Sequence, residues 1–363
     1  MTDMLAAAQT VRDRAMQPTT SFASLPPTDE AAFAGPGIGR LLRGCRHATE
    51  EERNNVLLLL APAIENADPF EAGRIAIVCG SVVEFGANPR LVVHSILARL
   101  PEYLALAAKG TVLLKEKKFG LVAPSHADVF KKDPAAYGAW RNLKFLLLAA
   151  MTTLCRDAGA RQVARQNPEI RERLAALEEV SAEANYLSQV LALTDDMMLV
   201  VLHPEHRRGY RVRLEGVSTN FHLFTLLQDA VIGDPAQGWL AGPPPEDPEV
   251  IAIATGTTQP ETAVSDSSRL HFYDHSALSS DGTVNAGSLE SWIWGEGEPS
   301  DIPPFENERI VLIGPPALAS RSWDCGFFAN LHDALRSEVA VTEVMDEANV
   351  TGYLDRLRRR QRP

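Results

Sequence analysis

The spacing of apolar side chains changes near residue 194, and this change constrains the fold more than any other feature of the sequence. Before it, apolar residues recur every three to four positions. Ile75, Val78, Cys79 and Val82 make one stripe, Val93, Ile96, Leu97 and Leu100 a second, and Leu143, Leu146, Leu147, Ala150 and Leu154 a third. Such stripes lie along one side of an α-helix. After it, Tyr210, Val212 and Leu214 alternate with Arg211, Arg213 and Glu215, the period of a half-buried strand. The two rhythms predict an all-α N-terminal helical bundle followed by a mixed α+β C-terminal domain. The expected division is an N-terminal arm over 1–28, a helical domain over 29–193 and an α+β domain over 194–363, with a long Pro/Gly-rich loop at 234–268.

Punctuation supports the helical half. Asp68-Pro69, Asn88-Pro89, Asp133-Pro134 and Asn167-Pro168 each set an Asx residue directly before proline. The Asx side chain accepts from unpaired N–H groups of the first turn, while proline at the first helical position loses nothing by lacking its own. Thr49 and Glu52 have the spacing of a capping box, and Gly86 and Gly159 are read as C-terminal stops. The Asx-Pro positions are irregularly spaced and no sequence repeat accompanies them, which favours a bundle over a solenoid. The arm is read from Gln17–Pro27, a polar stretch carrying Pro18, Pro26 and Pro27.

In the second half, Met198–His203 is a continuous apolar run, and Pro204–Arg208 turns the chain into the alternating segment, giving a hairpin. Asn220 is placed to cap a helix carrying Leu223, Leu226, Leu227 and Ala230, with Gly233 as its stop. Further strands are expected at Leu270–Tyr273, Ser291–Trp294, Arg309–Ile313 and Val339–Val344, and a last helix at the arginine-rich end.

With 35 basic against 47 acidic residues the net charge is −12. That balance favours solubility and argues against general affinity for a phosphate backbone, which needs a basic face. No basic segment followed by an apolar core opens the chain, and the runs Val56–Ile64 and Phe145–Met151 fall short of the roughly 20 residues that cross a bilayer. A cytoplasmic protein with reduced cysteines and no membrane contact is expected.

Candidate chemistry is sparse. His203 and His206 bracket the hairpin turn, and His271 and His275 flank Phe272-Tyr-Asp274; imidazoles suit zinc, iron or nickel if three or four ligands converge. No helix-borne HExxH or G-x-S-x-G turn exists, and no cofactor is favoured. Cys79 lies on an apolar stripe, where a thiol acts as a small hydrophobe, whereas Cys325 in Trp323-Asp-Cys-Gly326 is the least buried-looking thiol. Gly35-Pro-Gly-Ile-Gly-Arg40 is glycine-rich but follows no strand. Gly314-Pro-Pro316 reads as a loop after a strand, without the lysine of a nucleotide-binding turn. Lys109, Lys115, Lys117, Lys118, Lys131 and Lys132 form a basic stretch that could meet an acidic partner. Trp294, Trp323 and Asp324 set aromatic and polar groups beside glycines and are the ligand-binding candidates.

At Leu202-His-Pro-Glu-His-Arg-Arg-Gly-Tyr-Arg-Val-Arg-Leu-Glu-Gly-Val217, with Asn220-Phe221 and Leu226-Leu227, the chain resembles a bacterial protein family to which no activity is attached. Trp294-Gly-Glu-Gly297, the Leu312-Ile-Gly-Pro-Pro316 to Arg321-Ser-Trp323 stretch and Val78-Cys-Gly-Ser-Val-Val-Glu-Phe-Gly-Ala-Asn-Pro89 fit the same likeness. The resemblance implies that the two halves belong together and transfers no site residue. The leading expectation is a non-catalytic interaction or adaptor protein of a bacterial multi-protein system, with a protein partner. The alternatives are a metal-dependent enzyme or small-ligand sensor with its site in the α+β domain and, third, a nucleic-acid-associated protein, against which the acidic total speaks.

Overall fold

The computed structural model describes residues 2–28, 31, 33, 36–116, 123–242, 247–258, 272–277, 293–318 and 331–360. The chain divides into two compact units, Met1–Leu191 and Ala192–Pro363. The first is helical and the second a mixed sheet with helices, so the fold is α-helical and then α+β.

The helices of the first unit are α1 (Thr2–Ala15), α2 (Pro36–His47), α3 (Glu50–Asn66), α4 (Pro69–Glu84), α5 (Arg90–Lys115), α6 (His126–Lys132), α7 (Pro134–Arg141), α8 (Leu143–Leu154), α9 (Ala158–Gln166), α10 (Pro168–Ala175) and α11 (Ala182–Ala192). The Asx-Pro starts act as their chemistry predicts. Asp68 accepts from the amides of Phe70 and Glu71, Asp133 from Ala136, and Asn167 from Glu169 and Ile170. Asn88 accepts from the Arg90 amide in the same way, but the helix begins at Arg90 with Pro89 at the N-cap, one residue later than expected. Thr49 and Glu52 complete the capping box, and Gly86 follows α4 at φ +99°, a left-handed conformation that glycine adopts without a Cβ penalty. Gly159 is a correction: it lies inside α9, not after α8. Asp157 caps α9 by accepting from the Ala160 amide, and that Asx cap sets the boundary.

Helices α4 and α5 form the centre, with α3, α7 and α8 packed around them. Tyr103, Leu57, Leu60, Ile64, Ile75, Ile96, Leu100 and Leu104 are fully buried there. α1 adds Ala8, Val11 and Ala15. The residues after it are mostly exposed, held where the Thr19 amide donates to Asp68 and the Phe22 ring meets Tyr137 edge-on at 5.8 Å. The 26-residue α5 is long and apolar enough to cross a bilayer. Its Val92, Val93, Ile96, Leu100, Tyr103, Leu104 and Ala107 are instead buried among the other helices, as in the central helix of a globular core.

The second unit contains β1 (Met197–His203), β2 (Arg208–Glu215), α12 (Asn220–Val231), α13 (Pro248–Ala254), β3 (Phe272–Ala277), β4 (Pro304–Phe305), β5 (Glu308–Leu318), β6 (Glu338–Val344) and α14 (Glu347–Arg360). The sheet order is β3-β5-β1-β2-β6, with β4 also paired to β5. β1 and β2 are the expected hairpin, antiparallel with Val201 opposite Tyr210; β1 and β5 are parallel, and the remaining pairs antiparallel. Alternation divides the side chains between two faces. Leu199, Val201, Tyr210, Val212 and Val311 join Phe224, Leu227 and Ile253 in one core, while Val200, Leu202 and Ile310 pack on Val350, Leu354 and Leu357 of α14 in another. Tyr353 docks α14 further by donating to Glu308 (2.5 Å) and accepting from Arg211 (2.9 Å).

Four local expectations change. The helix after the hairpin is capped by Thr219, whose side chain accepts from the His222 amide, and Asn220 is its first residue. The expected loop at 234–268 contains α13, capped by Asp247 before Pro248, with Val250, Ile253 and Ala254 buried. Gly314-Pro-Pro316 continues β5 and does not open a loop; Pro316 stands opposite Tyr273. A strand at Ser291–Trp294 is not formed by Ile293 and Trp294, and 291–292 lie outside the described residues.

Candidate functional site

Of the four histidines singled out by the sequence, the described side chains are those of His203 and His206. His203 and His206 stack with ring centroids 4.5 Å apart at the hairpin turn. The His206 amide donates to Nδ1 of His203 (3.2 Å). An Nδ1 that accepts from a peptide N–H carries no proton, so the ring holds its proton on Nε2 and has no lone pair left for a metal in this conformation. Burial, and then His206, push the His203 pKa below the ordinary imidazole value. His203 thus locks the turn. His275 stands in register with Ile313 on β3, so β5 lies between it and β1. The two backbones are at least two strand spacings apart, about 10 Å. His271, Trp323 and Asp324 lie outside the described residues, as does Cys325. Among the described residues no group of three or more His, Cys, Asp or Glu is placed to hold a metal.

Trp294 is exposed over 59% of its surface, but its backbone is heavily used. Its carbonyl accepts from Asn220 Nδ2 (2.9 Å), and the amides of Asn220 and Phe221 donate to the carbonyls of Gly297 and Gly295. The Trp-Gly-Glu-Gly turn therefore satisfies the start of α12, where N–H groups have no helical partner. Gly295 is required sterically, because a Cβ would sit 2.2 Å from the Phe221 ring.

A histidine that pattern reasoning missed is more deeply placed. His222 on α12 is fully buried, with Nε2 2.7 Å from the Ala254 carbonyl and Nδ1 3.2 Å from the Ser218 amide. The amide donates to Nδ1, so Nε2–H donates to the carbonyl. Burial pulls its pKa down to about 4, and the ring stays neutral. Its position on an apolar helix, between Phe221 and Leu223, was the available signal. The thiols of Cys45, Cys79 and Cys155 are buried as well. Burial raises the first to about 11 and the last to about 12, far from the thiolate that reacts.

The helical unit supplies a site of another kind, a groove of about 420 Å³. Thr111, Leu114 and Lys115 come from the last turns of α5, Trp140 and Arg141 from the end of α7, Leu143 and Lys144 from the start of α8, Val180 and Ser181 from the turn before α11, and Ala182 and Glu183 from its first residues. Its parts are fixed locally. Asn142, buried between α7 and α8, donates from Nδ2 to the Phe70 carbonyl (2.7 Å), which sets Arg141 and Lys144 on either side of one anchored joint. Trp140 is backed by His126 at 5.3 Å and Tyr137 at 5.6 Å, and the missing Cβ of Gly110 leaves room for the Trp140 Cβ. Ser181 accepts from the Ala184 amide and donates to the Glu183 carboxylate (3.0 Å). Lys144 also lies over the Phe145 ring at 5.2 Å, and Arg141 reaches the Pro27 carbonyl at 3.5 Å.

The structure also sorts the basic stretch. Lys109 pairs with Asp133 at 2.7 Å and Lys132 with Glu116 at 2.9 Å, and Lys115 and Lys144 are among the residues that line the groove. Lys117 and Lys118 lie outside the described residues. Sequence reasoning did not single out Trp140; its signal was Trp140-Arg-Asn-Leu-Lys144, an aromatic and two cations around a helix joint.

Compared with known protein families, curated proteins and solved structures, the chain matches none of them.

Proposed function

We propose that this chain is a non-catalytic interaction protein of a bacterial multi-protein system, and that its helical unit receives a segment of a partner protein in the groove between the ends of α5, α7 and α8. The observation that carries the reading is the groove itself. Its walls are a supported tryptophan and three cations, and its rim includes Val180, an apolar side chain 47% exposed. Supported aromatic side chains and arginine dominate binding energy at protein interfaces, and about 420 Å³ holds a few residues of an extended segment. In the α+β unit, His203 and His222 are committed to backbone groups, which supports a structural part for them.

A photo-crosslinking residue at Val180, introduced in cells, tests this. It should give a discrete protein adduct that disappears with Trp140→Ala, while the same residue at exposed Leu58 of α3 gives none. Turnover of a substrate by the purified chain, abolished by a single groove substitution, would contradict the reading.

A further inference from the structure

We infer that a cavity among α1, α2 and α4 binds a short-chain monocarboxylate, with its carboxylate at Arg14 and its alkyl chain against Val11, Ile38 and Ile75. Thr10, Val11 and Arg14 come from α1, Gly37 and Ile38 from the first turn of α2, and Glu71, Arg74 and Ile75 from α4. None of these residues lines the groove described above. Burial sorts them into a mouth and a floor. Thr10 and Arg14, one turn apart on α1, are exposed, whereas Val11, Ile38 and Ile75 are buried. The charges of the floor are matched, because the buried Arg74 donates to both carboxylate oxygens of Glu71, at 2.8 and 2.9 Å. The surplus charge of the lining is therefore the Arg14 guanidinium, which makes no hydrogen bond or ion pair among the described residues. Its field still reaches the floor: burial pushes the Glu71 carboxyl up from its ordinary value, while Arg74 and, more weakly, Arg14 hold it down. The glycine-rich stretch that opens α2 takes part as well. A Cβ on Gly37 would stand 3.3 Å from Val11 Cγ2, so the glycine lets α2 approach α1 at the cavity wall.

Size and chemistry narrow the ligand. The cavity measures about 120 Å³, and an apolar cavity of about 150 Å³ takes up benzene, so about six non-hydrogen atoms is the upper bound. Butyrate is of that size. Inorganic phosphate would set oxygens against three apolar side chains at a cost in desolvation. A cation would oppose Arg14, and a neutral molecule would leave it unused. Water alone fits the polar side only, since a buried water needs roughly two to four polar partners and Val11, Ile38 and Ile75 offer none. A carboxylate held at the mouth forms a charge-assisted hydrogen bond with the guanidinium, and the chain behind it removes apolar surface from water.

The test uses the full chain, labelled at Val and Ile methyl groups, with sodium butyrate as the probe. The methyl signals of Val11, Ile38 and Ile75 should shift saturably, and that of Val180 in the groove should not. Butyramide should bind at least tenfold more weakly, as should acetate, which lacks the chain, and octanoate, which exceeds the volume. Arg14→Gln should cost at least fivefold for butyrate and nothing for butyramide, and Arg14→Lys should restore most of the loss. Arg14 is exposed, so both variants should keep the fold by circular dichroism. Ile38→Phe should fill the cavity and abolish binding. If that variant does not fold, the chain-length series on the wild-type protein measures the same limit. Equal binding of butyrate and butyramide, affinity unmoved by Arg14→Gln, or larger shifts with inorganic phosphate than with butyrate would overturn the carboxylate assignment. Absence of saturable shifts at the three side chains would overturn the site itself. The crosslink at Val180 reads the groove alone, so either failure is distinct from a failure of the interaction reading.

Discussion

Both units make close approaches at glycines, but in the helical unit those glycines lie inside helices that pack on one another, whereas in the α+β unit the closest lie in turns, where a Cβ would stand 2.3 Å from the Arg336 carbonyl at Gly216 and 2.5 Å from the Leu335 carbonyl at Gly256. A Cβ on Gly110 would stand 2.5 Å from the Ala136 carbonyl, one on Gly138 2.9 Å from the Phe70 amide nitrogen, and one on Gly80 3.2 Å from the Ala149 Cα. These are contacts of backbone on backbone between α5 and α7, α7 and α4, and α4 and α8. Between the sheet and its helices the space is filled by Tyr210, Phe224, Phe305 and Leu227, all fully buried. The difference teaches where each unit tolerates change. Added atoms are resisted along the packed helices of the first unit and at the turns of the second, while removed volume costs either core. The same division runs through the polar groups: buried imidazoles of the α+β unit serve the backbone, and cations of the helical unit face a groove.

The sharpest way to break this comparison is to remove volume from the α+β unit. Phe224→Ala should cost about 4 kcal/mol, read by urea unfolding, because a buried ring leaves a cavity that rigid neighbours do not fill. Adding volume to the helical unit comes next. Gly110→Ala should cost about 2 kcal/mol by the same measurement, since a carbonyl must shift. Gly352→Ala on α14, where a Cβ meets nothing within 4 Å, should instead stabilise by roughly 0.5–1 kcal/mol through helix propensity. If Gly110→Ala is neutral, close helix packing is not what holds the first unit.

The buried imidazole adds a pH signature confined to the second unit. His222 titrates near 6.5 when unfolded and at about 4 when folded, so the unfolded chain binds more protons between those values. Its contribution is fully present above pH 6.5 and is lost as pH falls toward 4. The loss approaches about 3 kcal/mol. Wild type should therefore lose about that much more stability than His222→Asn between pH 7 and pH 4. Equal pH profiles would mean that the ring is not sealed. A smaller effect concerns the hairpin. His203→Ala should cost about 1 kcal/mol for the lost acceptor of the His206 amide. Chelator treatment of the wild-type chain should leave its melting temperature unchanged; a drop of several degrees would favour a metal at the histidines.

Much of the fold was legible because its signals are local. Asp68, Asp133 and Asn167 cap the helices that their following prolines announce, and the alternation at Tyr210, Val212 and Leu214 gives the strand and its buried face. The same Asx-Pro signature at Asp247-Pro248 was outweighed by the Pro-, Gly- and Thr-rich sequence around it, and α13 was lost to a loop. Gly159 misled in the opposite sense, because a glycine beside a strong Asx cap is tolerated within a first turn. The candidate site was barely legible. Trp294 acquires its part from Asn220 and Phe221, more than seventy residues away, and no local pattern encodes that contact. Likewise the groove joins the ends of α5 and α7 to the turn before α11. In sequence only a diluted basic stretch and an unremarked Trp140 are visible.

The most direct test of the account compares one substitution from each unit in the same binding measurement. With the crosslinking residue at Val180, Trp140→Ala should abolish the protein adduct, and His203→Gln should leave its yield unchanged. An adduct kept by Trp140→Ala and lost in His203→Gln would place recognition in the α+β unit and contradict the account.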